Sequence, residues 1–250
     1  MVFLITAFLV AARVAGAIMV MPIFATLGVP RMYRLAAALC LTVIIAPTAP
    51  SVGAPTLSVL VLGMAGEVLI GVVMGGTVGV LFGALTLASD LMGMQIGLRI
   101  AAVFDPLGVE QTGLLASFAR WLATLVFLGA DLHLYVIQAI GDSFQLVPPG
   151  TAADPLAAGA LWVPTLGWAI SCGLRLAGPI MVLMFLIQAF LGVLVRLAPA
   201  MNVFFAVGLV VNVLAGLALL HEALPTLLME HLDITRRAIP LILRAAELSQ

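Results

Sequence analysis

Long apolar runs alternate along the chain with short breaks that contain proline, glycine and charged residues. The clearest breaks are "GVPRMYR" (28–34), "APTAPSVGAP" (46–55), "FDPLGVEQTG" (104–113) and "PPGTAADP" (148–155). Because proline and glycine interrupt helices and the runs between them are too long for strands, the pattern predicts an all-α protein. About six helical blocks are expected, at 1–27, 35–46, 57–103, 113–140, 160–197 and 200–224.

The composition places these blocks in a membrane. Hydrophobic residues make up 64% of the 250 residues, charged residues only 8%, and the mean hydropathy is +1.29. Because charged residues are about 25% of an ordinary soluble domain, we expect a polytopic membrane protein with one domain, 1–250, in contact with lipid. The formal net charge of −1 provides no basic surface for nucleic acid.

The charges leave the topology open. The first cation, Arg13, comes late in the first run, which favours a retained helix over a cleaved signal peptide. Arg31 and Arg34 favour a cytoplasmic first loop, and the arginines of 236–244 favour a cytoplasmic tail. Both assignments together require an odd number of crossings, so either one block does not cross or 57–103 crosses twice.

Block 57–103 can form a hairpin or one long helix, and it carries a glycine ridge. Gly71, Gly75, Gly79 and Gly83 are four residues apart, so they share one helix face. Small residues at this spacing let two backbones approach closely in a membrane. The ridge is therefore predicted to be a packing face, either within this chain or against another subunit.

The sequence contains no arrangement typical of catalysis or metal binding. The histidines are His133, His221 and His231, and the pairs "HE" (221–222) and "EH" (230–231) match neither HExxH nor its inverse. Phosphate-binding loops and the GxSxG motif do not occur either. We therefore expect no enzyme, no catalytic residue, no metal and no cofactor.

Charged residues inside the apolar runs are costly unless they are paired or face water. Two interpretations remain open for them. Some can form pairs within the bundle or extend to lipid headgroups, and others can line an aqueous path. The candidates are Arg13, Glu67, Asp90, Arg99, Arg120, Asp131, Arg175 and Arg196.

A polar break between two apolar blocks contains Asp105 and Pro106. The proline disfavours helical geometry at the aspartate, and irregular backbone at membrane depth must be buried in protein or lie in water. The break is therefore either a surface turn or a constriction of a pore. In the second case Phe104, Leu107 and Val109 form an apolar seal, and Gly108 gives the backbone freedom to move.

A second polar group interrupts the apolar run near residue 200. Arg196 brings five hydrogen-bond donors and Asn202 an amide, while Pro199 leaves a carbonyl unpaired one turn earlier. Three such groups in a membrane helix need neighbouring protein to satisfy them. The stretch is therefore predicted to bind neighbouring helices or their exposed carbonyls.

The stretch "RLAPAMNVF" (196–204) resembles the Arg-x-x-Pro-Gln-hydrophobic-Asn-hydrophobic-Phe signature of the FliR family of flagellar biosynthesis proteins and its virulence type III secretion counterparts. Other similarities cover most of the chain, and two departures are Ala200, in place of the signature glutamine, and the segment 205–212. The further similarities are "Arg…Gly…Pro" at 13–22, "GxQxG" at 93–97, Asp105-Pro106 and "DLHLYVIQAIGDSFQLVP" at 131–148.

The resemblance implies a structural subunit of the flagellar type III export gate. In this family, FliR assembles with FliP and FliQ into a helical, pore-forming complex for unfolded flagellar export substrates, and FlhB and FlhA work beside it. The location implied is the bacterial inner membrane at the flagellar basal body. The family's helical hairpins form a tilted assembly partly raised out of the bilayer, and 104–109 corresponds to a segment that helps to plug the closed pore.

An alternative function is that of a small-molecule secondary transporter of the inner membrane. Such proteins contain inverted repeats with matched broken helices. Residues 1–125 and 126–250 show no convincing similarity to each other, which favours the gate subunit.

Overall fold

The computed structural model describes residues 2–53, 56–98, 113–150, 155–197 and 208–247. These residues contain eight α-helices and no strand, so the all-α prediction is confirmed. The helices are α1 (Val2–Val20), α2 (Pro22–Thr26), α3 (Arg31–Ile45), α4 (Leu57–Ile96), α5 (Leu114–Gly129), α6 (Leu132–Leu146), α7 (Pro155–Leu197) and α8 (Leu209–Glu247).

Helix α4 is continuous over 40 residues, although the sequence also allowed a hairpin. It ends at Ile96 because Gly97 adopts a φ of 89°, a left-handed conformation that glycine accepts without steric cost. The backbone N–H groups of Gly97 and Leu98 donate to the carbonyls of Met94 and Gly93, at 3.2 and 3.0 Å. This pairing is the Schellman arrangement that terminates many helices.

Two predicted blocks, 1–27 and 113–140, are each divided into two helices. The first is interrupted just before Pro22, which has no N–H to continue the hydrogen-bond ladder. The second is interrupted at Asp131, whose φ of 56° is left-handed, a conformation that aspartate tolerates better than most residues. The helices on either side of this second break are bent by 69°.

The predicted end of the last block at residue 224 is wrong, because α8 continues to Glu247. The polar residues beyond 224 suggested a terminus. In the structure Leu227, His231 and Ile234 are buried at helical spacing, so this part of α8 is amphipathic rather than uniformly apolar.

The chain divides into two compact units. Unit 1 comprises 1–82, 127–169 and 234–250, and unit 2 comprises 83–126 and 170–233. In unit 1 the rings of Phe82 and Phe127 pack with centroids 5.6 Å apart, around a core of Leu9, Val10, Val14, Ile70, Met74, Phe144 and Val147. In unit 2 the core includes Leu85, Met92, Ile96, Leu115, Leu176 and Met184. The single domain over 1–250 stays a prediction.

Four helical segments in the described ranges are long and apolar enough to cross a membrane. They are Val2–Val20, Leu57–Ile96, Trp162–Leu194 and Leu209–Arg237, and the bent pair α5 and α6 could form a fifth crossing. The prediction of a polytopic membrane protein is thus confirmed by length and composition. The topology stays open.

Candidate functional site

A fully buried ion pair joins α1 to α4 in unit 1. The Nε–H of Arg13 donates to Oε2 of Glu67 at 2.6 Å, and a second guanidinium nitrogen donates to Oε1 at 3.1 Å. Both side chains are 0% exposed. For these two residues, the prediction that embedded charges pair within the bundle is confirmed.

The remaining polar atoms of the pair are satisfied by α6 and the turn that follows it. Arg13 donates to the hydroxyl of Ser143 and to the carbonyl of Val147, both at 3.0 Å. The backbone N–H of Gly150 donates to Oε1 of Glu67 at 2.9 Å, and the guanidinium lies 4.1 Å from the centroid of the Phe144 ring. This polar cluster links α1, α4, α6 and the turn 147–150 through directional contacts.

Such a cluster holds three helices in a fixed register. A buried charge is tolerated only when its hydrogen-bonding capacity is used, and leaving one partner unpaired costs about 3–5 kcal/mol. The sequence motif "DSFQLVP" contained Ser143 and Phe144, but it gave no sign that they contact Arg13. Ser143 lies 130 residues from Arg13 in the sequence, and no local pattern connects the two.

Part of the glycine ridge brings α4 into backbone contact with α1. A Cβ atom added at Gly71 would collide with the carbonyl oxygen of Arg13, and one added at Gly75 would collide with the carbonyl oxygen of Ala17. On the α1 side of the same contact, a Cβ added at Gly16 would lie 2.7 Å from the carbonyl oxygen of Val68. Between Gly71 and Gly75, the ridge therefore packs within the chain.

The other two ridge glycines have open space beside them. The nearest atom to a Cβ built at Gly79 is Cδ of Pro22, at 4.0 Å, and nothing lies within 4 Å of a Cβ at Gly83. Gly83 is also exposed. The described residues thus supply no close packing contact for this end of the ridge.

Arg34 stabilises the interruption between α1 and α2. Its guanidinium donates to the carbonyls of Val29, Phe24 and Met19 at 3.0, 3.2 and 3.5 Å. Met19 and Phe24 lie near the ends of α1 and α2, where backbone acceptors can lack partners within the helix, and Val29 lies in the turn before α3. Arg34 therefore has a structural role in addition to the topological one inferred from its charge.

Other embedded charges behave differently. Arg175 and Arg196 are exposed on α7, and neither has a hydrogen bond or ion pair with another described residue. One carboxylate oxygen of Asp90 is buried and has no partner in the described ranges. Arg120 donates to the hydroxyl of Ser117 at 3.2 Å, and Arg99 lies outside the described residues.

The predicted pore segment falls outside the described residues, and so do two residues of the signature. The former comprises Phe104, Asp105, Pro106, Leu107, Gly108 and Val109, and the latter are Pro199 and Asn202. The last turn of α4 precedes the pore segment in the sequence. There the carbonyl of Gln95 accepts a hydrogen bond from the side-chain amide of Gln188 on α7, at 2.8 Å. This bond satisfies one of the unpaired carbonyls in the last turn of α4.

The described residues contain an apolar groove and no cluster that could hold a metal ion. Across those ranges, no three His, Cys, Asp or Glu side chains come close enough to hold a metal ion. A groove of about 430 Å³ between α1 and α4 has a wholly apolar lining that includes Phe8, Ala12, Met19, Met64 and Val72. The lining of this groove suits packing against helices or lipid.

Comparison with known proteins adds independent information. The family model described as bacterial export proteins, family 1, matches residues 4–238. The chain is similar to the flagellar biosynthetic protein FliR of Escherichia coli (strain K12), with 32% identity over 216 residues that cover 85% of this chain and 82% of that protein. It is similar to the protein of the same name from Caulobacter vibrioides, with 32% identity over 235 residues, 92% of this chain and 93% of the relative.

Proposed function

The chain belongs to the bacterial export proteins, family 1, and from this premise we propose that it is a structural, non-enzymatic subunit of the flagellar type III protein export gate. It forms with FliP and FliQ the pore for unfolded flagellar export substrates, with FlhB and FlhA beside it. Its location is the bacterial inner membrane, at the flagellar basal body. The observation that carries the proposal is the family match over 4–238, which includes residues of both units.

The lengths of the helices support an assembly with other subunits. Helices α4 and α7 contain 40 and 43 residues, which at about 1.5 Å per residue gives roughly 60 Å each. A bilayer has a hydrocarbon core of only about 30 Å. Each helix contains only two charged residues, so its apolar surface is longer than the hydrocarbon core. The part that lipid does not cover must therefore pack against other protein surfaces.

The open end of the glycine ridge is a suitable assembly surface. Gly71 and Gly75 contact α1, whereas Gly79 and Gly83 leave room for a further backbone to approach. In a membrane, close helix contacts form where small residues permit them. We assign Gly79 and Gly83 to an interface with another gate subunit, and Gly71 and Gly75 to the internal contact that supports it.

Purification in a mild detergent followed by native mass spectrometry tests the proposed function. We expect a large hetero-oligomer that contains this chain together with FliP and FliQ. A monomer or a small homo-oligomer would instead favour a secondary transporter. A strain that lacks this chain supplies the control, because its membranes should yield no complex of the same mass.

The signature is expected to act in assembly. Replacing Arg196 or Asn202 with leucine should let the chain insert normally, because removing a polar group lowers the cost of membrane residence. The amount of intact complex on a native gel should fall, because the neighbouring subunit loses its hydrogen-bond partner. Arg236→Leu, at another exposed arginine, serves as the control for loss of charge alone. A normal yield of complex from both signature variants contradicts this assignment.

The segment 104–109 is expected to restrain the closed pore. Deleting residues 107–111 should leave the complex assembled, because the deletion lies between two helices, α4 and α5, that are otherwise intact. The complex should conduct ions and small solutes in a planar bilayer recording, since an apolar constriction excludes water from a closed pore. If the assembled deletion variant is as tight as the wild type, the segment is a surface turn and another part of the complex seals the pore.

A further inference from the structure

Helix α4 contains two carboxylates, and only one of them has a cationic partner among the described residues. Glu67 is fully buried and pairs with Arg13. Asp90 lies further along the same helix, and its Oδ1 is buried without a hydrogen-bond partner. Asp90 forms no ion pair with a described residue either. The helix is long and apolar enough to cross a membrane, where an unpaired carboxylate is costly.

The described arginines of unit 2 do not supply the missing partner. They are Arg120, Arg175 and Arg196. Arg120 donates to the hydroxyl of Ser117 at 3.2 Å, and the other two are exposed without an ion pair to any described residue. The charge of Asp90 is therefore uncompensated within the described part of unit 2.

Asp90 lies on an open face of α4. Gly83 precedes it by seven residues, nearly two helical turns, and Thr86 and Met94 lie one turn to either side, so these four residues share one face. Gly83 and Met94 are exposed, and Thr86 and Asp90 are partly exposed. Nothing lies within 4 Å of a Cβ atom built at Gly83. We call Gly83, Thr86, Asp90 and Met94 the open face.

The other helices of unit 2 approach α4 from its other sides. A Cβ atom built at Gly93 would lie 3.6 Å from the side chain of Leu115 on α5. One built at Gly173 on α7 would lie 2.8 Å from the carbonyl oxygen of Ala84. The internal contacts of unit 2 thus involve the remaining faces of this stretch, whose buried residues are Ala84, Leu85, Ala88, Ser89, Met92 and Ile96.

The chemistry of the open face specifies what can cover it. A glycine with free space beside it allows another helix backbone to approach closely in a membrane. Acyl chains would leave the carboxylate of Asp90 uncompensated, and protein already shields its Oδ1. A cationic side chain compensates the charge, and opposite charges across a contact also fix its register. The pair of Arg13 and Glu67 solves the same problem between α1 and α4.

We propose that the open face docks a membrane helix of another gate subunit, and that an arginine or lysine of this helix pairs with Asp90. Gly83 admits the backbone of the incoming helix, and the ion pair sets its position along α4. The inference rests on the proposed function, and it adds a charge requirement to the interface assigned to Gly83. The rival is that Asp90 faces an aqueous path, in which case assembly does not need its charge.

Removing only the charge of Asp90 tests this inference. Asp90→Asn keeps the size of the side chain. In a strain that contains all gate subunits, the share of the membrane-bound chain recovered in the large complex should fall at least about tenfold, because a buried cation of the partner loses its counter-ion. Asp90→Glu keeps the charge and should retain most of the complex. Asp142→Asn removes an exposed carboxylate on α6 and should give the wild-type share.

Charge exchange identifies the partner. Asp90→Arg should prevent assembly through like-charge repulsion. In this background, each arginine or lysine in the membrane helices of the copurifying subunits is replaced by aspartate in turn, and one such replacement should restore the complex. Restoration by Arg99→Asp, Arg120→Asp or Arg175→Asp places the partner within this chain and overturns the proposal. Failure of every replacement overturns it as well.

The two levels of inference fail in different ways. If the wild-type chain purifies without other gate subunits, the proposed function fails, and the docking partner fails with it. If the wild-type complex forms and Asp90→Asn yields as much of it, only the docking inference fails. The charge of Asp90 is then dispensable for assembly, as expected for a carboxylate that faces water.

Discussion

Replacing Glu67 with leucine is expected to destabilise the folded protein more than any other single change to the polar cluster. The substitution leaves the guanidinium of Arg13 buried, with only Ser143 and the carbonyl of Val147 as acceptors. An arginine cannot lose its charge in a protein interior, and removing one partner of a buried pair costs about 3–5 kcal/mol. We expect a clear loss of folded protein and a lower unfolding temperature in mild detergent.

Two controls separate the effect of the cluster from that of a lost carboxylate. Glu222→Leu removes an exposed carboxylate on α8 and should leave the unfolding temperature nearly unchanged. The double variant Arg13→Leu with Glu67→Leu should be more stable than Glu67→Leu alone, because no unpaired charge remains buried. An unfolding temperature equal to that of the wild type in Glu67→Leu would show that the cluster does not hold the helices together.

Replacing Gly75 with leucine is expected to separate α4 from α1. Even a Cβ at this position would collide with the carbonyl oxygen of Ala17, and a backbone atom cannot rotate away as a side-chain end can. Overpacking a close contact costs about 1–3 kcal/mol, occasionally more. Here the cost should be at the upper end, because separation of the two helices also lengthens the 2.6 Å contact between Arg13 and Glu67.

The same helix supplies a matched control for this substitution. Gly83→Leu introduces an identical side chain at an exposed glycine with nothing within 4 Å of its Cβ position. Protein abundance in membranes and swimming of a complemented strain should both fall sharply in Gly75→Leu, whereas Gly83→Leu should keep normal abundance. Swimming in Gly83→Leu then reports the proposed contact with another subunit. Full abundance of Gly75→Leu would contradict the close packing of α1 and α4.

The helical, membrane-spanning character of the chain could be predicted because its signals are local. Proline and glycine that cluster with polar residues mark most of the interruptions, and the low charge content holds for almost every run. The same local signals failed in the last block, because the amphipathic end of α8 resembles a polar terminus until Leu227 and Ile234 are seen to share a buried face. The roles predicted for 104–109, Pro199 and Asn202 rest on the sequence and on family resemblance, and they stay predictions.

The sequence by itself determined the fold class, the membrane environment and the family. It also showed that embedded charges need partners and that the glycine ridge is a packing face, because both follow from the cost of burial and from spacing along one helix. Only the tertiary structure decided which partners they have. Arg13 and Glu67 are 54 residues apart in the chain, and Gly75 meets Ala17 through a backbone atom that any residue type would provide. Pairing at such separation depends on how helices pack, and no periodicity within one helix encodes that choice.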